Sequence, residues 1–330
     1  MLQKNSNSNS AQLLILGAIS FAILILSMAF VLNTLIYTEN ASVRGANVAD
    51  YSSQSYADEI ERVNQNHIQK LAQDEGKTYS DLEIGLERMN ENTSEVLRED
   101  LARRGILSAS EITETERGTS LYQTETQRFL NSEDEPDWDV IENVGSEEHS
   151  AFRLAVRNDS LSTQTFPLSL FGSEFEMVLD TVDVDEDPDG TFYVYKNPTR
   201  SVVFLEYQDA DGNTVGSCSV SASGDYTTID FTQYTFNDFL CEPLTNIDTA
   251  ETFRIENGDE VEGQFTIVST GELNQVSSSG NYYADTESTY PQRSPILYSA
   301  GVETTYTDVR TAHTQRQNLI LGDIYDIGDE

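Results

Sequence analysis

The chain has 330 residues, with 57 acids against 19 bases and a formal net charge of −38. Such a surface repels phosphate backbones and anionic headgroups, which excludes nucleic-acid binding and polybasic adhesion to lipid. Gly, Pro and aromatic contents are ordinary, and the acids are spread between apolar, patterned segments. The acidity therefore does not mark the chain as disordered; it fits a folded protein with a carboxylate-covered surface, whose self-repulsion concentrated salt would screen.

The charge has a boundary. Residues 5–38 carry none, and all 57 acids lie at or after Glu39 together with 18 of the 19 bases, so the part from Glu39 onward carries −39. Residues 13–32 read LLILGAISFAILILSMAFVL. At 1.5 Å per residue, about 20 apolar residues span the roughly 30 Å hydrocarbon core as a helix. The h-region of a cleaved signal peptide is shorter, about 7–15 residues with a small-residue cleavage box behind it. The expectation is a retained transmembrane helix over residues 12–37 behind a hydrophilic leader, 1–11. Lys4 and the terminal amine put the N-terminus in the cytoplasm. The rest then forms one extracellular body at the cell membrane.

Residues 38–131 read as a helical stem. Ile60, Val63, His67 and Leu71 recur at helical spacing, as do Leu82, Leu86, Met89, Val96 or Leu97, and Leu101. Thr78 to Asp81 offers an N-cap to the second run, Gly105 a C-cap, and Gly76 lies between the two. The pattern predicts an antiparallel helical hairpin, with a short third helix over 121–130. Residues 132–150 are acidic and hold Pro136 and the single tryptophan, Trp138; they read as a linker with the ring as a packing anchor.

From 151 to 326 the period becomes two. Phe152, Leu154 and Val156 alternate, as do residues 192–195 and 226–234, and residues 202–207, 214–220, 253–256 and 261–268 read as further strands. Asp211-Gly212 and Asn257-Gly258-Asp259 read as hairpin turns. Short strands follow at 296–298, 302–306 and 319–321. The head is expected to be an all-β sandwich, which makes the fold class α+β: an N-terminal transmembrane helix, a helical hairpin stem and a β-rich C-terminal head.

Cys218 and Cys241 are the two cysteines, and outside the cell an even count points to a disulfide. Asn40, Asn92 and Asn158 open N-glycosylation sequons. Asp185-Glu186-Asp187-Pro188-Asp189-Gly190 has the form of half a calcium loop, but an EF-hand needs a bidentate Glu at its twelfth position and Lys196 stands there. The run reads first as a solvating acidic turn, with a weak Ca²⁺ site at Asp185, Asp187 and Asp189 as the alternative. His67, His149 and His313 lack metal-ligand spacing. There is no Gly-rich phosphate loop, G-x-S-x-G or H-E-x-x-H. Neither a cofactor nor an enzymatic activity is expected.

Composition resembles that of haloarchaeal proteins. The run from Ala11 through Gln12, Leu13 and Gly17 to Ile19 resembles the start of an archaeal type IV pilin: a short hydrophilic leader, a small residue followed by Gln, then an apolar helix. Ser10 stands where the family usually has Lys or Arg. The chain as a whole is similar to haloarchaeal type IV pilin-like single-pass surface proteins. The resemblance implies cleavage between Ala11 and Gln12 and other pilin-like or surface proteins as partners. A stand-alone stalked module that binds a polysaccharide, a surface layer or a solute shares the anchor and needs no leader processing.

Overall fold

The computed structural model describes residues 53–330 except 104, 145–147, 164–174, 181–189, 198–200, 279, 308–311, 323, 326 and 329–330. The expected leader, membrane helix and processing site, Asn40, and the acidic turn with Asp185, Asp187 and Asp189 lie outside the described residues. Among those described, no helix is long and apolar enough to cross a membrane. Contacts divide the chain into two units, Met1–Tyr56 and Ala57–Glu330; the second is the body described below.

Helices α1 (Ser53–Ala72) and α2 (Tyr79–Ala102) form the expected hairpin pair. Thr78 caps α2 in a reciprocal capping box with Asp81. At the other end Gly105, at φ +78°, donates to the carbonyl of Ala102, while the Ile106 N–H reaches Leu101. This paired closure is the Schellman motif, and it needs the left-handed conformation that glycine adopts freely. The buried stripe of α1 is Ile60, Asn64, Ile68 and Leu71, one position on from the expected Val63 and His67. Asn64 donates to the Asn90 side chain on α2 (3.0 Å), and Asn90 donates in turn to the Ser110 carbonyl (3.1 Å).

The hairpin packs on the β-rich body. Ser110 belongs to β1 (Leu107–Arg128), a 22-residue strand on which α2 packs directly. Arg117 of β1 pairs with Glu83 of α2 (2.9 Å) and lies 5.2 Å from the centre of the Tyr79 ring. Two expectations are therefore corrected. Residues 121–130 are not a helix, and the β-rich body begins at Leu107 rather than at 151. Leu121 and Tyr122 point to opposite faces of β1 and both are buried, as two-sided burial of a central strand requires. The proposed linker 132–150 also holds a strand, β2 (Trp138–Glu142). Trp138 is buried, with Nε1 donating to the Phe129 carbonyl at 2.9 Å.

The remaining strands are β3 (His149–Arg157), β4 (Glu176–Asp180), β5 (Gly190–Asn197), β6 (Val202–Asp209), β7 (Thr214–Ser221), β8 (Tyr226–Asp230), β9 (Thr235–Phe236), β10 (Phe239–Leu240), β11 (Thr252–Glu256), β12 (Glu262–Ser269), β13 (Tyr283–Ala284), β14 (Gln292–Thr307) and β15 (Ala312–Ile320). Among the described residues they form two sheets. One runs β10-β9-β8-β3-β12-β1-β14-β13, with β15 also on β14; the other runs β2-β11-β4-β5-β6-β7. Pairing is antiparallel except between β13 and β14.

The sheets face each other across one apolar core. Phe152 of β3 lies 5.0 Å from Phe253 of β11, and Phe265 of β12 lies 6.3 Å from Trp138 of β2, so aromatic rings bridge the layers. Each fully buried ring contributes about 2–3 kcal/mol of hydrophobic stabilisation. The turn at Asn257-Gly258-Asp259 does not close a hairpin: β11 and β12 belong to different sheets. Gly258 exchanges backbone hydrogen bonds with Phe129 and Pro136, and a Cβ there would meet the Phe129 carbonyl oxygen at 2.0 Å. That close backbone approach carries the chain from one sheet to the other.

A disulfide joins Cys218 of β7 to Cys241 after β10, with Cα atoms 5.9 Å apart. β7 is the edge of one sheet and β10 the edge of the other, so the cross-link closes one side of the sandwich. By loop-closure entropy, a separation of 23 residues corresponds to about 3 kcal/mol. Replacing both cysteines by Ala should lower unfolding free energy by roughly that amount, about 3 kcal/mol, in denaturant titrations; an unchanged midpoint would show the link to be energetically idle.

Candidate functional site

Strand β3 connects two surface cavities. At its start, a groove of about 310 Å³ is lined by Val144, His149, Phe152, Phe231, Thr232, Tyr234, Ile247 and Asp248. Its floor is aromatic, with Phe152 and Phe231 rings 4.8 Å apart and His149 edge-on to Phe152 at 5.8 Å. Tyr234 stands at the rim in the turn after β8, at φ +52°. A bulky side chain rarely adopts that conformation, which costs on the order of 1–2 kcal/mol. Surrounding bonds hold it: the Tyr234 carbonyl accepts from the Cys241 N–H, and its phenol donates to the Asp248 carboxylate at 2.9 Å. The bond to Asp248 raises the phenol pKa above its ordinary value, with burial adding to it. His149 donates through Nε2 to the Val144 carbonyl (2.9 Å). The groove thus offers an aromatic face beside a carboxylate, a combination suited to holding a ligand with an apolar face and hydroxyl edges.

At the other end of β3, a cavity of about 420 Å³ is lined by Thr126, Arg157, Asn158, Asp159, Lys196, Ala222, Gly224, Asp225 and Tyr226. It is polar. The Arg157 guanidinium spans Asp159 (2.7 Å) and Glu262 (2.8 Å), which together offset its charge. Lys196 Nζ donates to the Asn158 carbonyl at 3.4 Å.

A third feature is the solvent face of β2, β11 and β4. Arg254 sits between Asp180 (3.4 Å) and Glu256 (3.0 Å). Burial raises Asp139 above the usual carboxylate range, against the opposing pull of Arg254. Glu176 lies opposite Glu256 across the β4–β11 pair. Burial first, then the charges of Glu256 and Asp137, push it from 4.5 to about 7. Among the described residues no group of three or more His, Cys, Asp or Glu side chains is placed to hold a metal.

The sequons fare differently. Asn92 is exposed on α2. Asn158 is buried: its amide donates to the Gly224 carbonyl (2.9 Å) and its Oδ1 accepts from Thr227 (2.6 Å). The folded protein does not present that sequon to a glycosyl donor. Neither cavity was visible in the sequence, because each gathers residues from turns up to a hundred positions apart. The one local signal was the aromatic content of residues 226–234, which read as strand pattern. Comparison with protein-family profiles, with curated proteins and with solved structures gave no match.

Glycopeptide mass spectrometry of the native protein should find Asn158 unmodified. Asn158→Ala should cost about 1–3 kcal/mol, because the Gly224 carbonyl and Thr227 hydroxyl lose a buried partner. Glu176 gives a pH signature. Its folded pKa lies above the unfolded value, so the folded state binds the extra proton, and stability falls as pH rises from 4.5 to about 7. Glu176→Gln should remove that loss, so that the variant gains on the parent across the window and stays ahead at pH 8. A constant difference in melting temperature from pH 4 to 8 would show that Glu176 does not titrate there.

Proposed function

We propose that the chain is a pilin-like, membrane-anchored cell-surface protein without catalytic activity, a component of a type IV pilus-like or related surface assembly in a haloarchaeon. The N-terminus is cytoplasmic, residues 12–37 cross the membrane, and the acidic body stands outside. The observation that carries the reading is a disulfide-closed, carboxylate-covered β-sandwich downstream of an uncharged apolar stretch. The disulfide suits an oxidising exterior, and the acids suit concentrated salt. The resemblance at Ala11 and Gln12 supplies the link to pili.

The groove at Tyr234 favours a second reading, a stand-alone surface module that binds a polysaccharide, a surface layer or a solute. One experiment separates the two. Mass spectrometry of the native N-terminus should find Gln12 as the first residue, with the protein recovered in a sheared filament fraction. An intact Met1, with all the protein in monomeric membrane extracts, would overturn the pilin-like reading in favour of the stand-alone module.

A further inference from the structure

Beyond β15 the chain continues across the back of the larger sheet. Leu321 is buried, and its N–H donates to the Tyr298 carbonyl of β14 (2.7 Å). The Tyr325 ring lies 4.4 Å from that of Tyr122 on β1. The Gly328 N–H donates to Gln264 Oε1 on β12 (2.9 Å), and a Cβ on Gly328 would lie 3.1 Å from Ala155 of β3 and from Thr228 of β8. These contacts follow the sheet order, so the segment crosses five neighbouring strands. Leu121, Leu154, Phe265 and Ile229 belong to the core between the sheets. Their neighbours Tyr122, Ala155, Gln264 and Thr228 therefore face the other way. Residues 321–328 strap that outer face, and Ile324 and Ile327 are buried against it.

The same stretch holds α1. Gln317 bonds Glu61, Gln65 donates to the Ile320 carbonyl (2.8 Å), and Gln73, just past α1, donates to the Ile324 carbonyl (3.4 Å). The stretch is also acidic: residues 317–330 include Asp323, Asp326, Asp329 and Glu330 and no Lys or Arg. Further carboxylates lie beside it. Burial is the main cause that raises the Tyr325 pKa, and the charges of Asp285 and Glu75 push the same way. Asp285 accepts from the Gly76 N–H in the turn between α1 and α2 (3.1 Å).

We propose that residues 317–328 are a salt-dependent latch: in concentrated salt the segment lies on the sheet and holds α1, and as salt is withdrawn it lifts and releases α1 before the sandwich unfolds. Two opposed forces set the balance. Burial of Leu321, Ile324 and Ile327 and the contact between the Tyr325 and Tyr122 rings hold the segment down. Repulsion between its carboxylates and a chain of net charge −38 lifts it. The reach of that repulsion grows from about 3 Å at 1 M salt to about 10 Å at 0.1 M. Strands resist the same force with backbone ladders, whereas past Ile320 none of the described residues of the latch belongs to a strand. The latch is therefore the part that opens at the higher salt concentration. The inference needs neither the membrane anchor nor a filament.

The test is amide exchange, read by mass spectrometry, on the full chain in detergent as potassium chloride is lowered from about 1 M to about 0.1 M. Exchange in 321–328 and in residues 57–72 of α1 should speed up together, by about tenfold, at a concentration where β3 and β12 are unchanged. The double variant Asp323→Asn/Asp326→Asn loses two of the segment's four carboxylates and should stay latched to lower salt than the parent. The proposal is overturned if the latch and β12 lose protection at the same salt concentration, if the latch or α1 opens without the other, or if neither changes across the range. These readings come from the parent and need no variant to fold. A double variant that opens at the parent's salt concentration would overturn repulsion as the force that lifts the segment.

Discussion

The structure depends on one strand being held from both sides. β1 pairs with β14 over residues 107–122 and with β12 over residues 119–128. Its second half lies inside the sandwich, where residues 118–123 are buried on both faces. Its first half runs on as a ribbon with β14 and β15, and α2 packs on that extension. Two register shifts in the pairing with β14, near Ile112 and Glu116, fall on the ribbon half, before the buried run begins. Irregularities of this kind bend a strand and sharpen its twist. The helical layer and the β-sandwich are thus built on a single piece of chain, and this is why residues 57–330 form one body.

The second constraint is charge. A body this acidic must still bring strands together, and arginine does much of the work of placing carboxylates. Arg117 joins β1 to Glu83 and Glu272, Arg157 joins Asp159 and Glu262, and Arg254 joins Asp180 and Glu256. In each case one planar guanidinium serves two acids, a geometry that the point charge of lysine matches poorly. Glu176, opposite Glu256, is instead pushed up to about 7 by burial and by the charges of Glu256 and Asp137. The composition of 15 Arg against four Lys accords with this use.

How much of this could be read in the sequence depended on what faced outward. β3, β5, β6 and β12 announced themselves because Val, Phe, Tyr and Ile alternate in them. The helical hairpin was visible for a similar reason, and its capping residues Thr78 and Gly105 marked both ends. β1 was hidden. Its outward positions include Glu111, Glu114 and Glu116, residue types depleted in strands, and its apolar inward residues cluster late. Residues 121–130 show no period-two alternation of apolar residues, so their pattern did not separate strand from helix. The turn at Gly258 carried a genuine hairpin signature, and only the backbone bonds to Phe129 and Pro136 decide that it changes sheets. Asn64 illustrates a finer limit: a buried amide in an otherwise apolar stripe looks polar in sequence, yet its partner Asn90 is 26 residues away.

That amide chain has a mechanical consequence. The sandwich is held by backbone ladders and closed by a covalent link at one side, whereas α1 is held by apolar side chains, the Asn64–Asn90 bond and the reach of Gln65 to Ile320. Tension applied at the N-terminal end of α1 therefore loads these side-chain contacts one after another, like a zipper, while the strand ladders behind them bear load in parallel. The helix is the part that yields first. A protein pulled from its N-terminal side would lengthen by unwinding α1 and keep its β-sandwich, and the surface that the sandwich carries, intact.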